Sequence, residues 1–264
     1  MPAMKIATWN VNSVRARQER LLEWLKSAQP DVLCLQELKC TEDDFPMEAV
    51  RDAGYHAAVH GQKTYNGVAI LAKEEPRDVV KGLSDGVDDT HARLIAATVG
   101  GLRVVSAYAP NGQSLDSPQY EYKLEWYGRL RRYLDTRHNP DEALVLGGDW
   151  NIAPADIDIY DPKEWEGQTL CTVRERDALP VRLRAVGCVP EAVPRHAALL
   201  VVGLPDVGLP EEPGPAHRPP VRVRAVGAAV DGGGHGPGGS QGQAALGPCA
   251  GVAGASGLTE GNGP

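Results

Sequence analysis

The sequence predicts an α/β domain over residues 1–179, continued by a tail, 180–264, of a different character. Three observations predict it. Short apolar runs alternate with amphipathic stretches, the pattern of strands laid against helices. Polar residues gather at the far ends of the apolar runs. The composition also breaks late in the chain. All fourteen aromatic residues lie at or before Trp165, the last lysine is Lys163, and residues 180–264 hold 18 glycines and 12 prolines. Such a segment cannot bury enough apolar surface to offset the entropy of ordering it, so a disordered tail is expected.

The elements follow in order. Residues 4–12, MKIATWNVN, alternate loosely and read as a strand with a polar tip. Residues 14–28 place Val14, Leu21, Leu22 and Leu25 at helical spacing, with Ser13 as the N-cap and Pro30-Asp31 as the stop. DVLCLQE (31–37) is a short apolar run, a buried strand that delivers Gln36 and Glu37 at its end. NGVAILAK (66–73), ARLIAATV (92–99) and LRVVSAYAP (102–110) read as three more strands, the last ending at Tyr108. Residues 119–138 form an amphipathic helix, and ALVLGGDWNIAP (143–154) is a strand running into a turn.

The chain is acidic overall, with a net charge of −8, which argues against a protein that coats nucleic acid non-specifically. A local basic groove on an acidic body stays open, so a nuclease is not excluded. Cys34, Cys40, Cys171, Cys188 and Cys249 form no CxxC pair and read as reduced thiols, which points to the cytoplasm. The N-terminus lacks the pattern of a signal peptide, and no run is long enough for a membrane-spanning helix. Met4 serves equally well as a start.

Asn10, Asn12, Glu37, Tyr108, Asn111, Asp149 and Asn151 all sit at or just past the C-terminal tip of an apolar strand. Open α/β sheets bind ligands at strand tips, so these residues are candidates for one site. Glu37 is either a hard-cation ligand or a solvated strand-end acid. Gly147 and Gly148 let the backbone turn tightly and approach a ligand. Asp149 and Asn151, two apart in an extended segment, point to one side. One can hold a water while the other bonds a phosphate oxygen; the alternative is an ordinary Asx turn. Asn10 and Asn12 have the same spacing and the same two readings. Tyr108 either bonds a phosphate through its hydroxyl or is a core-edge aromatic.

WNVNSVRAR, LQELK, YNGVAIL, AYAPNG and GGDWNIAP occur in this order. As a set they resemble the exonuclease III branch of the endonuclease–exonuclease–phosphatase superfamily, DNA-repair nucleases acting at abasic sites and 3′ ends. The resemblance covers residues 4–179. It implies two sheets packed face to face with helices outside and the site at one end of that sandwich. It also implies Mg²⁺, with Mn²⁺ as a candidate substitute, double-stranded DNA as partner, and a monomer. By the resemblance Glu37 is a metal ligand with Asn10 beside it, and Asp149 activates or orients the attacking water. Asn151 and Tyr108 contact the scissile phosphate, and Asn12 and Asn111 belong to the DNA-contacting set.

The resemblance stops where the family continues with Trp-Trp-Asp-Tyr-Arg, then Arg-Ile-Asp-His, then Ser-Asp-His. None of these is present; His196, His217 and His235 stand in Pro- and Gly-rich surroundings and read as exposed. The codon table offers an account. Residues 201–206, 215–220 and 242–252 can each be encoded so that reading one nucleotide later spells the missing motifs, in order and at one offset. The tail 180–264 therefore resembles a frameshifted translation, and the second sheet is expected to be incomplete with an open edge. Two other readings follow. One is an inactive product whose tail at most binds a partner, with HRPPVRVR (217–224) as the candidate Pro-rich segment. The other is a superfamily phosphatase.

Overall fold

The computed structural model describes residues 4–138, 143–159, 161–180 and 199–202. Nine strands occur among them: β1 (Ile6–Asn10), β2 (Val32–Gln36), β3 (His56–His60), β4 (Val68–Ala72), β5 (Arg77–Lys81), β6 (Leu94–Val99), β7 (Leu102–Tyr108), β8 (Leu144–Asp149) and β9 (Leu199–Val202). Four α-helices accompany them: α1 (Gln18–Ala28), α2 (Met47–Asp52), α3 (Pro118–Arg137) and α4 (Val173–Ala178). The first sheet runs in the order β1-β2-β4-β3, and the second β5-β6-β7-β8-β9. In the first, β1 and β2 are parallel, while β2, β4 and β3 pair antiparallel. In the second, β5, β6 and β7 are antiparallel, and β7, β8 and β9 are parallel.

Strand periodicity sorts the core into three layers. Val32 and Cys34 of β2 turn inward with Ile70, Ile95, Ala97, Val104 and Val145, filling the space between the sheets. Leu33 and Leu35, one residue out of phase, turn outward with Leu21, Leu25 and Val50 under α1 and α2. Ala107, Leu144 and Leu146 pack beneath Trp126, Tyr127 and Leu130 of α3. β2 is covered on both faces and is buried at all five positions, which is why it reads as a continuous apolar run. This is the two-sheet sandwich flanked by helices that the resemblance implies.

Several local expectations need correction. The first helix begins at Gln18, not at residue 14, and Arg17 precedes it without a side-chain cap. Asn12 and Ser13 take positive φ, 43° and 85°, which turns the chain sharply before the helix and leaves Ser13 too early to cap it. The second long helix keeps its predicted extent, with Ser117 accepting from the Tyr120 N–H and Pro118 in the first turn. β3, β5, α2 and α4 have no counterpart in the prediction. β5 is a short, largely exposed edge strand of RDVVK, whose polar sequence carries no burial signal.

Gly147 and Gly148 also depart from expectation. They lie within β8, not in a turn, and neither is among the glycines with positive φ. Their lack of a side chain serves packing. A Cβ at Gly147 would stand 2.9 Å from Cys34 Sγ on the opposite sheet, and one at Gly148 would overlap the carbonyl oxygen of Ala107 on β7. Gly148→Ala is expected to lower stability by about 1–3 kcal/mol or more, since backbone cannot yield as a side-chain end does. Urea denaturation measures this, and an unchanged midpoint would refute it.

The tail expectation falls mostly outside the described residues, as do HRPPVRVR and the late histidines. Where it can be compared, at residues 199–202, it is corrected: Leu-Leu-Val-Val forms β9 and pairs with β8. Four consecutive aliphatic residues suit a strand, and the ladder of β8 offers unpaired backbone groups. β9 is then the last strand of the second sheet among the described residues. Cys34, Cys40 and Cys171 are free thiols. Among the described residues no helix is long and apolar enough to cross a membrane.

One polar cluster outside the strand tips ties α3 to the loop after β5. Arg129, 4% exposed, donates through Nε to Asp85 and through Nη1 to Asp89, both at 2.7 Å. The guanidinium hydrogen bond holds the Asp85 carboxyl below the ordinary aspartate range. At Asp89 burial pushes up, but hydrogen bonds from the His91 N–H and from Arg129 prevail and hold it low. Depressed acids stabilise the fold above their ordinary pKa and lose that contribution as pH falls through the folded value. Arg129→Met is therefore expected to cost about 1.5–3 kcal/mol at pH 7. The gap to the unsubstituted chain should narrow below about pH 4, a trend that thermal melts across pH would reveal.

Candidate active site

The same alternation that builds the core also aims the candidate residues. On β1 the inward positions run Ile6, Thr8, Asn10; on β7, Val104, Ser106, Tyr108; on β8, Val145, Gly147, Asp149. Each strand thus ends with a polar residue facing the gap between the sheets. Just below them lies a polar layer. Gln36 Nε2, fully buried, donates to Thr8 Oγ1 at 3.0 Å and Ser106 Oγ at 3.2 Å, and Ser106 donates to the Leu35 carbonyl. This layer links the two sheets under the site and separates it from the apolar core.

Asn10 stands at the centre. Its Nδ2 donates to Glu37 Oε1 at 2.7 Å and to Asp149 Oδ2 at 2.8 Å, the second 139 residues away, so one amide joins the two carboxylates. Its Oδ1 is turned the other way and accepts from the Asn12 N–H at 3.0 Å. Glu37 lies one residue past β2 with φ of 53°, a left-handed conformation that brings its carboxylate back over the strand tip. Lys39, also left-handed, pairs with Glu37 at 3.0 Å and reaches Asn12 Oδ1 at 2.5 Å.

The carboxylates are unlike. Burial pushes Glu37 up most strongly, yet hydrogen bonds from Asn10 and Lys39 outweigh it and hold the acid low. At Asp149 burial wins: the carboxyl rises above the ordinary aspartate value despite hydrogen bonds from Asn10 and the Asn151 N–H, and the Glu37 charge adds to the rise. Burial pushes the Tyr108 phenol well up, and the charges of Glu37 and Asp149 add to this, so it stays protonated beside the two carboxylates. Glu37, Asn10, Tyr108 and Asp149 form one connected cluster.

The remaining candidates adjoin it. Asn111 Nδ2 donates to Asn151 Oδ1 at 3.1 Å, and Asn151 Nδ2 donates to the Ala109 carbonyl at 2.9 Å. Each amide nitrogen thus spends one hydrogen within the pair, and Asn111 and Asn151 each keep a second. Asn12 sits on the exposed rim with Lys39.

Sequence reasoning missed three residues around this cluster. Arg93 lies 5.1 Å from the Tyr108 ring centre and 5.9 Å from that of Tyr122, and donates to the Tyr108 carbonyl. Lys123 and Glu175 are both fully buried and paired at 2.5 Å. Burial pulls the Lys123 ammonium down, opposed by the Glu175 charge. Two signals for this pair were available. Lys123 falls on the stripe Tyr120, Lys123, Tyr127, Leu130, the buried face of α3. Thr172 and Glu175 form a capping box.

Among the described residues no group of three or more His, Cys, Asp or Glu side chains stands ready as a metal cage. The donor set nevertheless suits Mg²⁺. That ion takes oxygen ligands, keeps several waters, and needs only one or two carboxylates from the protein. Here two carboxylates of like charge converge on one amide, and their repulsion contributes to the rise at Asp149. A divalent cation would relieve that repulsion. Asn10, as oriented, offers the pair its N–H groups; its oxygen is spent on Asn12.

The fold and this constellation have known counterparts. The chain is 45% identical to the solved structure of a 3′ phosphatase, NExo, from Neisseria bound to a product DNA hairpin. That match has a TM-score of 0.65 and covers 70% of this chain and 75% of that one. It is 40% identical to an AP endonuclease from Archaeoglobus fulgidus, again with a TM-score of 0.65, over 66% of this chain and 68% of the other. Exodeoxyribonuclease III of Haemophilus influenzae is 37% identical over 161 residues, 59% of this chain and 60% of its own length. The DNA repair nuclease APEX1 of Danio rerio is 35% identical over 190 residues, 69% of this chain and 60% of its own length. The chain thus spans about 60% of these two curated relatives. The family model described as endonuclease/exonuclease/phosphatase matches residues 7–241. With both sheets, the strand-tip cluster and that match in agreement, the chain belongs to the endonuclease/exonuclease/phosphatase family.

Proposed function

We propose that the chain carries the larger part of a Mg²⁺-dependent DNA-repair phosphodiesterase acting at abasic sites and 3′ ends. The observation that carries this is the convergence of Asn10, Glu37, Tyr108 and Asp149 from four strands onto one polar cluster at one end of the sandwich. Glu37 and Asp149 would hold the cation, with Mn²⁺ as an alternative. When bound, the ion neutralises charge developing on phosphate oxygens. Asp149 accepts a proton from, and orients, the attacking water. Asn10 keeps the two carboxylates in register. Asn111 offers its remaining amide hydrogen to a phosphate oxygen, and Asn151 braces Asn111. Tyr108 presents its hydroxyl to the site beside Glu37. Asn12 and Lys39 face the DNA from the rim. All of these groups come from one chain, so a monomer suffices.

The His and Asp that complete the family's site are not encoded in this frame, and we place them one nucleotide out of register beyond residue 179. Cleavage by the chain as it stands is therefore slow. The test is a duplex with one abasic site, incubated with Mg²⁺ or with a chelator. Cleavage should require the metal, and Glu37→Ala should remove the metal's effect. Cleavage untouched by both changes would sink the assignment. A second reading, removal of a 3′ phosphate, is favoured by the 45% identity to the Neisseria 3′ phosphatase. A duplex ending in a 3′ phosphate, run beside the abasic one, separates the two.

A further inference from the structure

Helix α4 has six residues, too few to hold a helix unaided, so its place depends on what it touches. Arg131 of α3 caps its end, donating through Nη2 to the carbonyls of Asp177, Ala178 and Leu179 at 3.0–3.2 Å. Arg176 donates to the Ala153 carbonyl at 3.0 Å, and the hydroxyls of Thr172 and Tyr120 meet at 2.6 Å. The centre of this junction is the fully buried pair of Lys123 and Glu175.

Lys123 Nζ has three hydrogens and three acceptors: Glu175 Oε1 at 2.5 Å, the Asn151 carbonyl at 2.6 Å and the Asn111 carbonyl at 3.2 Å. Glu175 is equally spent, accepting also from the Leu170 N–H, the Thr172 N–H and the Thr172 hydroxyl. A buried ion pair is weak evidence for stability, because two well-packed apolar side chains often serve as well. Apolar side chains could not fasten two backbone carbonyls, however. Those carbonyls belong to the two residues whose side chains meet in the site, Asn111 and Asn151, 3.1 Å apart. Four segments thus join at one nitrogen: the loops after β7 and β8, helix α3, and α4.

We infer that Lys123, with Glu175 as its counter-ion, is a positioning residue that couples the docking of α4 to the spacing of Asn111 and Asn151, and through them to the grip on a phosphodiester. The coupling stands on these contacts; only the identity of the ligand rests on the nuclease reading. The decisive variant is Thr172→Ala, which loosens Glu175 from the far side and touches neither asparagine. Hydrogen exchange on the full chain should rise at least about tenfold in residues 171–179, 109–113 and 149–153 together. Thr172→Ser, which keeps the hydroxyl, should restore all three. Arg174→Ala, which removes an exposed pair with Glu121, should leave the two asparagine loops unchanged. Faster exchange in 171–179 with normal protection in the two loops would overturn the coupling. In the same variants, affinity for an abasic-analogue duplex in chelator should fall about fivefold or more with Thr172→Ala and return with Thr172→Ser. If the unsubstituted chain binds no duplex, the nuclease reading fails, and the exchange result still decides the coupling.

Discussion

Advancing the reading frame by one nucleotide near codons 176–184 is expected to raise abasic-site cleavage by about 10²–10³-fold, the usual worth of one preorganised electrostatic group in a transition state. The chain already assembles the strand-tip cluster. On the proposed reading, the group the advanced frame would add is a histidine held by a carboxylate in the tautomer that can bond the scissile phosphate. Residues 215–220 and 242–252 can be encoded so that the advanced frame spells that pair, in Arg-Ile-Asp-His and Ser-Asp-His order. Residues 201–206 can be encoded so that the same frame gives Trp-Trp-Asp-Tyr-Arg, which would replace part of a Gly- and Pro-rich stretch with aromatic residues. The measurement is cleavage of an abasic duplex in Mg²⁺ by both products at equal concentration. Equal rates would mean that residues beyond 179 supply nothing to the chemistry, and the frame argument would fall.

Asp149→Asn in the frame-advanced protein is expected to cut cleavage by about 10²–10⁴-fold, the range for losing a positioned general base. It should do so without unfolding the protein. Burial raises the Asp149 carboxyl, with the Glu37 charge adding to the rise. A raised acid burdens the fold only where it is ionised. The burden is absent below the ordinary aspartate value near 3.8 and grows as pH climbs through the folded value. Removing the charge therefore leaves the metal-free melting temperature at pH 7 unchanged or higher. The difference from the unsubstituted protein should vanish toward pH 4. A lower melting temperature at pH 7 would show that Asp149 is structural, held by Asn10 and Asn151 for the fold and not for the reaction.

Other predictions bear on the frame that carries this site. The glycines of GGDWN illustrate the limits of local reading. A pair of glycines before an Asx turn suggests a turn and a close ligand approach. In the fold they are strand residues, and what approaches closely is Cys34 on one side and Ala107 on the other. Nothing in residues 147–148 announces which neighbour will arrive. The first helix shows the same limit: its apolar spacing extends back to Val14, but positive φ at Asn12 and Ser13 delays the first helical turn to Gln18.

Much of the site was nonetheless legible. Period-two alternation is a local property, so β1, β7 and β8 could be read as strands whose last inward positions are Asn10, Tyr108 and Asp149. The motif set then assigned the sandwich, and both sheets follow it. β3 and β5 escaped because they lie at sheet edges, where a strand is defined by its partner more than by its own pattern. Lys123 and Glu175 escaped because each alone looks like an ordinary helix charge; only the covering of α4 over α3 makes both fully buried.

The sequence by itself therefore determined the central strands β1, β2, β4, β6, β7 and β8, the long helix α3 and the polar side chains at the strand ends, because dihedral preference and apolar periodicity act over a few residues. Only the tertiary structure decided that Asn10 joins Glu37 to Asp149, that Lys123 fastens two loops, and that Leu199–Val202 lies beside β8. These contacts join residues up to 139 positions apart, and a hydrogen bond or a buried charge takes its energy from whichever partner the fold brings within reach.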